Sequence, residues 1–104
     1  MTRTNYKVRT TATYEVDLEN AVFYIKDVLH NKTAAIRLIR DIESAILDRS
    51  YSPFLFRPYP RKNKHKEEYY PIYVRNYIVF YVIIGDVMEV RRLIYCKRNI
   101  EHII

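Results

Sequence analysis

The apolar positions divide the chain into stretches of different period. Tyr6 and Val8 alternate with Lys7 and Arg9, which predicts a short first strand with one apolar face. From about Thr13 the spacing lengthens. Leu18, Ala21, Val22, Ile25, Val28 and Leu29 fall three and four apart, one stripe of a helix, with Thr13 as its cap and Glu15 and Asp17 beside its positive N-terminal end. His30-Asn31-Lys32 breaks the pattern. Ala35, Leu38, Ile39, Ile42, Ala45 and Ile46 restart it, so a second helix is expected from about Thr33 to Arg49, antiparallel to the first because the break is so short.

The helical pattern stops before Ser52-Pro53, since a residue preceding proline is biased away from the helical region. The stretch PFLFRPYPRKNKHKEE reads as an exposed connector that turns basic at Arg61, Lys62, Lys64 and Lys66. Beyond it YYPIYV, NYIVFYVII and VMEVRRLIYC are rich in Tyr, Val and Ile, and Gly85-Asp86 between the last two suits a two-residue hairpin turn. Pro71 cannot donate to a ladder, so the strand around Tyr69 to Val74 is placed at an edge. The strand from Tyr77 to Ile84 is apolar on both faces and is placed centrally.

Strict alternation puts Val87, Glu89, Arg91, Leu93 and Tyr95 on one face of the last strand and Met88, Val90, Arg92, Ile94 and Cys96 on the other. Cys96 is thereby read as core, and Arg91 and Arg92 as pointing apart. RNIEHII predicts one last helical turn. Helices segregated from strands argue an α+β domain: an N-terminal strand, then an antiparallel helical hairpin packed on one face of a mainly antiparallel sheet, in the order strand, helix, helix, strand, strand, strand.

Length and charge narrow the function classes. A chain of 104 residues with a hydrophobic fraction of 49% supplies one core, so residues 1–104 are read as a single domain. No stretch approaches a membrane span and MTRTNYKVRT has no apolar signal core, so a cytoplasmic protein without membrane contact is expected. Eighteen Lys and Arg against 12 Asp and Glu leave a net charge of +6, which favours an acidic or polyanionic partner. Three histidines and one cysteine show no metal-ligand spacing, and Gly85 is the only glycine, so neither a metal, a cofactor nor a glycine-rich phosphate loop is expected.

The element order, together with DLENAVFYI in the first helix, AAIRLIRDIESAI in the second, the V-x-N-Y-x-x-F-Y run from Val74 to Tyr81, the Gly-Asp turn and VMEVRRLIYCKRNIEHII, resembles the RelE/ParE superfamily, the toxins of bacterial type II toxin–antitoxin modules. The resemblance implies a growth-inhibiting toxin neutralised by a cognate antitoxin, whose extended and helical segment wraps it. The superfamily contains two activities. RelE-like members cleave mRNA on the ribosome without a metal, which needs cations for the phosphorane charge and groups for proton transfer. ParE-like members poison DNA gyrase.

Only part of a RelE-like set carries over. Lys97 and Arg98 match the basic pair after the last strand. Ile78 stands where those toxins place an arginine after the Asn-Tyr turn, Tyr69 and Pro71 fall where they carry lysines, and Ile104 stands where they carry a C-terminal tyrosine. Lys97, Arg98 and His65 are the catalytic candidates. Arg61, Lys62, Lys64, Lys66 and Arg75 are the candidates for holding nucleic acid or the target, and His102 is a further substitute. The depleted set tilts the activity toward the gyrase poison. The alternatives are a ribosome-dependent mRNA endoribonuclease and an inactive homologue that only occupies the antitoxin. Each candidate also has a plainer reading: a solvated strand end for Lys97 and Arg98, an exposed loop for His65 and the lysines, and cross-strand packing for Tyr73 and Tyr95.

Overall fold

The computed structural model describes residues 4–60 and 67–104. Its elements are β1 (Lys7–Thr10), α1 (Ala12–Phe23) running into a π turn (Tyr24–Val28), α2 (Lys32–Arg49), β2 (Tyr70–Val74), β3 (Tyr77–Ile84), β4 (Val87–Tyr95) and a terminal 3₁₀ turn (Ile100–His102). The sheet order is β1-β4-β3-β2. β1 lies parallel to β4 while β2, β3 and β4 form an antiparallel meander. The expected α+β order is observed, with Pro71 on an edge strand and β3 inside.

The helical hairpin buries Ala21, Leu38, Ile42 and Ile46 against Ile72, Val74, Val79, Tyr81, Met88, Val90 and Leu93. A second, smaller core lies on the other face of the sheet, where Ile78, Phe80 and Ile94 meet Ile100 of the terminal turn, with Tyr59, Tyr69, Ile103 and Ile104 packed around them. Burial on both faces explains the unbroken apolar run of β3. Gly85 completes the β3–β4 turn at φ +61°, a left-handed conformation open to glycine at no steric cost.

Several local expectations are corrected. The cap of α1 is Thr11, not Thr13: its hydroxyl accepts from the Tyr14 amide at 3.2 Å, donates to the Arg91 carbonyl at 3.1 Å, and its own amide bonds the Val90 carbonyl. Tertiary bonds to β4 select that threonine. Tyr14 then enters the core, 3% exposed, and burial followed by the charges of Glu15 and Glu43 pushes its phenol up to about 12.

At the other end of α1 the Leu29 amide bonds the Tyr24 carbonyl five residues back. One extra residue in that turn rotates the downstream side chains about the helix axis, so Val28 and Leu29 leave the buried stripe and stand 50% and 55% exposed. His30 at φ +53° ends the helix, and Asn31 caps α2 by accepting from the Ala34 amide at 3.0 Å.

The faces of β4 are also corrected. Phe80 pairs with Arg92 but Tyr81 pairs with Val90, which leaves Arg91 as the extra residue of a β-bulge. Alternation therefore resets in mid-strand. Leu93 joins Met88 and Val90 on the helix side, and Ile94 joins the second core. Cys96, read as core by strict alternation, is exposed beyond the end of β4.

Candidate functional site

The two turns at one end of the sheet are brought together. Tyr77 pairs with Tyr95 across β3 and β4, and the Cys96 amide donates to the Asn76 carbonyl at 2.8 Å, so the Arg75-Asn76 turn adjoins Cys96-Lys97-Arg98. The Arg98 amide closes the second turn on the Tyr95 carbonyl at 3.0 Å, and Lys97 and Arg98 are both exposed. Arg75, at φ +54°, turns toward α2 and bonds Asp41 at 2.8 Å. It is engaged with the helical hairpin. His102 is exposed in the terminal turn. Arg61, Lys62, Lys64, His65 and Lys66 lie outside the described residues.

An open groove of about 830 Å³ begins at this end of the sheet and runs beneath the α1 end. Ala21, Ile25, Leu29 and Leu93 supply its apolar wall, Asn20, Asn31 and Asn76 its amides, Tyr24, Tyr77 and Tyr95 its rings, and Arg98 its cation. Tyr77 and Tyr95 meet edge to face with centroids 5.6 Å apart. Burial, then the neighbouring Tyr95 and Tyr24, raise the Tyr77 phenol above its ordinary value, so its hydroxyl stays protonated at neutral pH. Tyr24 and Leu29 of this lining are each half exposed or more, as are their chain neighbours Phe23 and Val28. Four such neighbours form an apolar patch of the kind that marks an interaction surface.

Tyr95 thus packs across the strands as expected. Tyr73 does not: on the edge strand β2 it is 67% exposed.

The two β4 arginines, which strict alternation would send to opposite faces, flank the bulge and are held in separate ion pairs. Arg92 grips Asp17 of α1 through Nε at 2.8 Å and a second nitrogen at 3.1 Å, while the Leu93 amide donates to the same carboxylate at 3.0 Å. Arg91 reaches Glu89 at 2.9 Å, Tyr69 at 3.3 Å and Glu67 at 3.5 Å. Burial alone would lower the Arg91 pKa, but its bonds to Tyr69 and Glu89 outweigh it and raise the value.

Glu89 is shared with Arg9 at 2.8 Å, and the bond from Arg91 leads in holding its carboxyl below the ordinary value. A lowered folded-state pKa contributes stability above the unfolded value that is lost as pH falls through the folded one. Glu89→Gln is accordingly expected to lose stability at neutral pH and to flatten the acid limb of urea midpoints measured against pH. An unchanged acid limb would show that other carboxylates control it.

On the outer face of the sheet, the positions matched to a RelE-like cation set serve packing. Ile78 is 4% exposed against Ile94 and Ile100, Pro71 is buried, and the Tyr69 ring stands 6.4 Å from Phe80. Sequence reasoning named Arg98, which lines the groove, but did not foresee the groove itself. Its Tyr24 and Leu29 were assigned to an uninterrupted helix, and only the π turn places them at the rim.

No protein-family model matches the chain, and no curated protein sequence does. Among solved structures, a chain from a structure described as the chromosomal ParDE TA system from P. aeruginosa superposes with a TM-score of 0.70 at 12% identity, covering 88% of this chain and 97% of that one. The fold expected from the RelE/ParE resemblance is therefore the fold observed, shared over nearly the full length of a chain from a toxin–antitoxin structure.

Proposed function

We propose that this chain is the toxin of a type II toxin–antitoxin pair, that it acts as a ParE-like poison of DNA gyrase, and that its antitoxin lays an acidic amphipathic helix in the groove between α1 and the sheet. The observation that carries the choice of activity is the outer face of the sheet. Ribosome-dependent cleavage needs cations facing the scissile phosphate, whereas here Ile78, Phe80, Ile94 and Ile100 close that face as a dry core. Phosphoryl chemistry has little to work with there.

The groove supports the partner. Its apolar wall and exposed rim suit the apolar face of a helix, and Arg98 at one end suits a carboxylate. The +6 charge favours an acidic antitoxin that orders on binding.

Expression without an antitoxin, followed by growth, gyrase supercoiling and mRNA cleavage on translating ribosomes, tests the reading. Growth arrest with blocked supercoiling and intact mRNA is expected. Cleaved mRNA with normal supercoiling would establish the ribonuclease instead, and unimpaired growth with folded protein present would leave only an inactive antitoxin-binding homologue. Lys97→Ala combined with Arg98→Ala is expected to weaken gyrase inhibition about tenfold, since charges at a contact rim act mainly on encounter. Unchanged inhibition would reduce the pair to a solvated strand end.

A further inference from the structure

Residues 53–60, between α2 and β2, are bonded to the sheet at both ends yet leave apolar side chains in water. The buried Tyr81 hydroxyl donates to the Pro53 carbonyl at 2.6 Å, and the Tyr59 amide donates to the Tyr69 carbonyl at 2.7 Å. Between these ties the Arg49 guanidinium lies over the Phe56 ring, 4.4 Å from its centroid. Phe56 is nevertheless 53% exposed and its chain neighbour Leu55 70%. Apolar side chains held in water by a tied-down backbone mark an interaction surface.

An open pocket of about 460 Å³ lies between this segment and the β2 edge, with Phe56, Tyr59, Ile72 and Tyr73 as its apolar wall. Pro58 and Pro60 on one side and Pro71 on the other restrict its backbone. Two guanidinium groups line it, those of Arg49 and Arg57, and no carboxylate does. Arg49 is committed, donating to the Pro71 carbonyl at 2.9 Å and to the Tyr81 hydroxyl at 3.2 Å. Arg57 is exposed and has no ion pair among the described residues.

We infer that this pocket is a docking site for a short acidic segment of a partner protein, one that seats an aromatic side chain against Phe56 and Tyr73 and sets an adjacent carboxylate on Arg57. Side chains carry the recognition, because Pro71 offers no amide to an added strand and Arg49 already occupies its carbonyl. A nucleic acid strand fits less well: one uncommitted cation answers one phosphate, and Leu55 beside the pocket is no stacking platform. A second copy of this chain would set two molecules of charge +6 against each other. The pocket shares no lining residue with the 830 Å³ groove, and its role does not depend on the toxin reading.

The probe is a short capped peptide alternating aspartate with phenylalanine, titrated into the isotope-labelled full chain and followed by amide NMR. A lysine–phenylalanine peptide and a short oligothymidylate are the controls. Shifts centred on Phe56, Arg57, Ile72 and Tyr73, and binding about tenfold tighter than that of the lysine peptide, are expected. Arg57→Glu is expected to reverse the preference between the two peptides. Tyr73→Ala should weaken binding about tenfold, and Tyr73→Phe should restore it. Both positions are exposed, so either change leaves the core intact, and should one variant fail to fold the other decides. Equal binding of the two peptides, or shifts centred away from the pocket, would overturn the inference. Tighter binding of the oligothymidylate at the same residues would give the pocket to nucleic acid, and self-association that the acidic peptide displaces would give it to a second copy; either result overturns it too.

Discussion

Phe80→Ala is expected to cost roughly 3–5 kcal/mol, the usual range for deleting a fully buried ring. Phe80 is 0% exposed in the interior strand, and Tyr59 stands edge-on to it at 5.1 Å between centroids. The second core has few other members, Ile78, Ile94 and Ile100 chief among them, so the cavity would open in the layer that holds the terminal turn against the sheet. The loss is a large part of the roughly 5–15 kcal/mol that keeps a small domain folded. Urea unfolding monitored by circular dichroism would measure it, with Phe80→Leu costing under about 1.5 kcal/mol because it retains most of the volume. A loss below about 1 kcal/mol for the alanine variant would mean that this face collapses freely. It would then be a poor barrier to phosphoryl chemistry, weakening the choice between the two toxin activities.

Asp17→Ala is expected to cost about 3 kcal/mol, the lower end for breaking a buried ion pair by removing one partner. The Asp17 side chain is 12% exposed and that of Arg92 24%, so the orphaned guanidinium would regain part of its hydration. The Leu93 amide would lose its acceptor at the same time. Because this carboxylate joins α1 to the strand just past the bulge, the damage should extend to the wall of the 830 Å³ groove, which both Asp17 and Leu93 line. Adding Arg92→Met removes the stranded charge, and a double variant more stable than Asp17→Ala alone is the expected outcome of a mutant cycle. Simple additivity of the two losses would show that the pair is not energetically coupled.

Periodicity carried the main elements well. The three-and-four spacing of Leu38, Ile42 and Ile46 is the buried stripe of α2, and the two-faced apolar run of β3 is the strand inside the sheet. Its errors come from single-residue shifts. A π turn adds one residue to a helical turn and a bulge adds one to a strand, and after either the side chains downstream change sides. Val28 and Leu29 moved outward in the first case, and Leu93 and Ile94 exchanged faces in the second. Val90 and Leu93, apolar three residues apart around two arginines, are the one local trace of the bulge.

The candidate site was legible only as residue types. Lys97 and Arg98 stand out as cations after an apolar run, but the cross-strand register of Tyr77 with Tyr95 sets their turn beside Asn76 and brings Arg98 to the wall of a groove.

By itself the sequence determined the element order, the edge position of β2, the central position of β3 and the basic charge, because each depends on local composition or on a period that neighbouring residues share. Only the tertiary structure decided which threonine caps α1, where two extra residues reset the faces, that Ile78 closes a second core, and that Arg49 holds the Pro71 carbonyl at the β2 edge. Those outcomes depend on hydrogen bonds and packing between segments as distant in the chain as Thr11 and Arg91, or Arg49 and Pro71, for which no local pattern provides a signal.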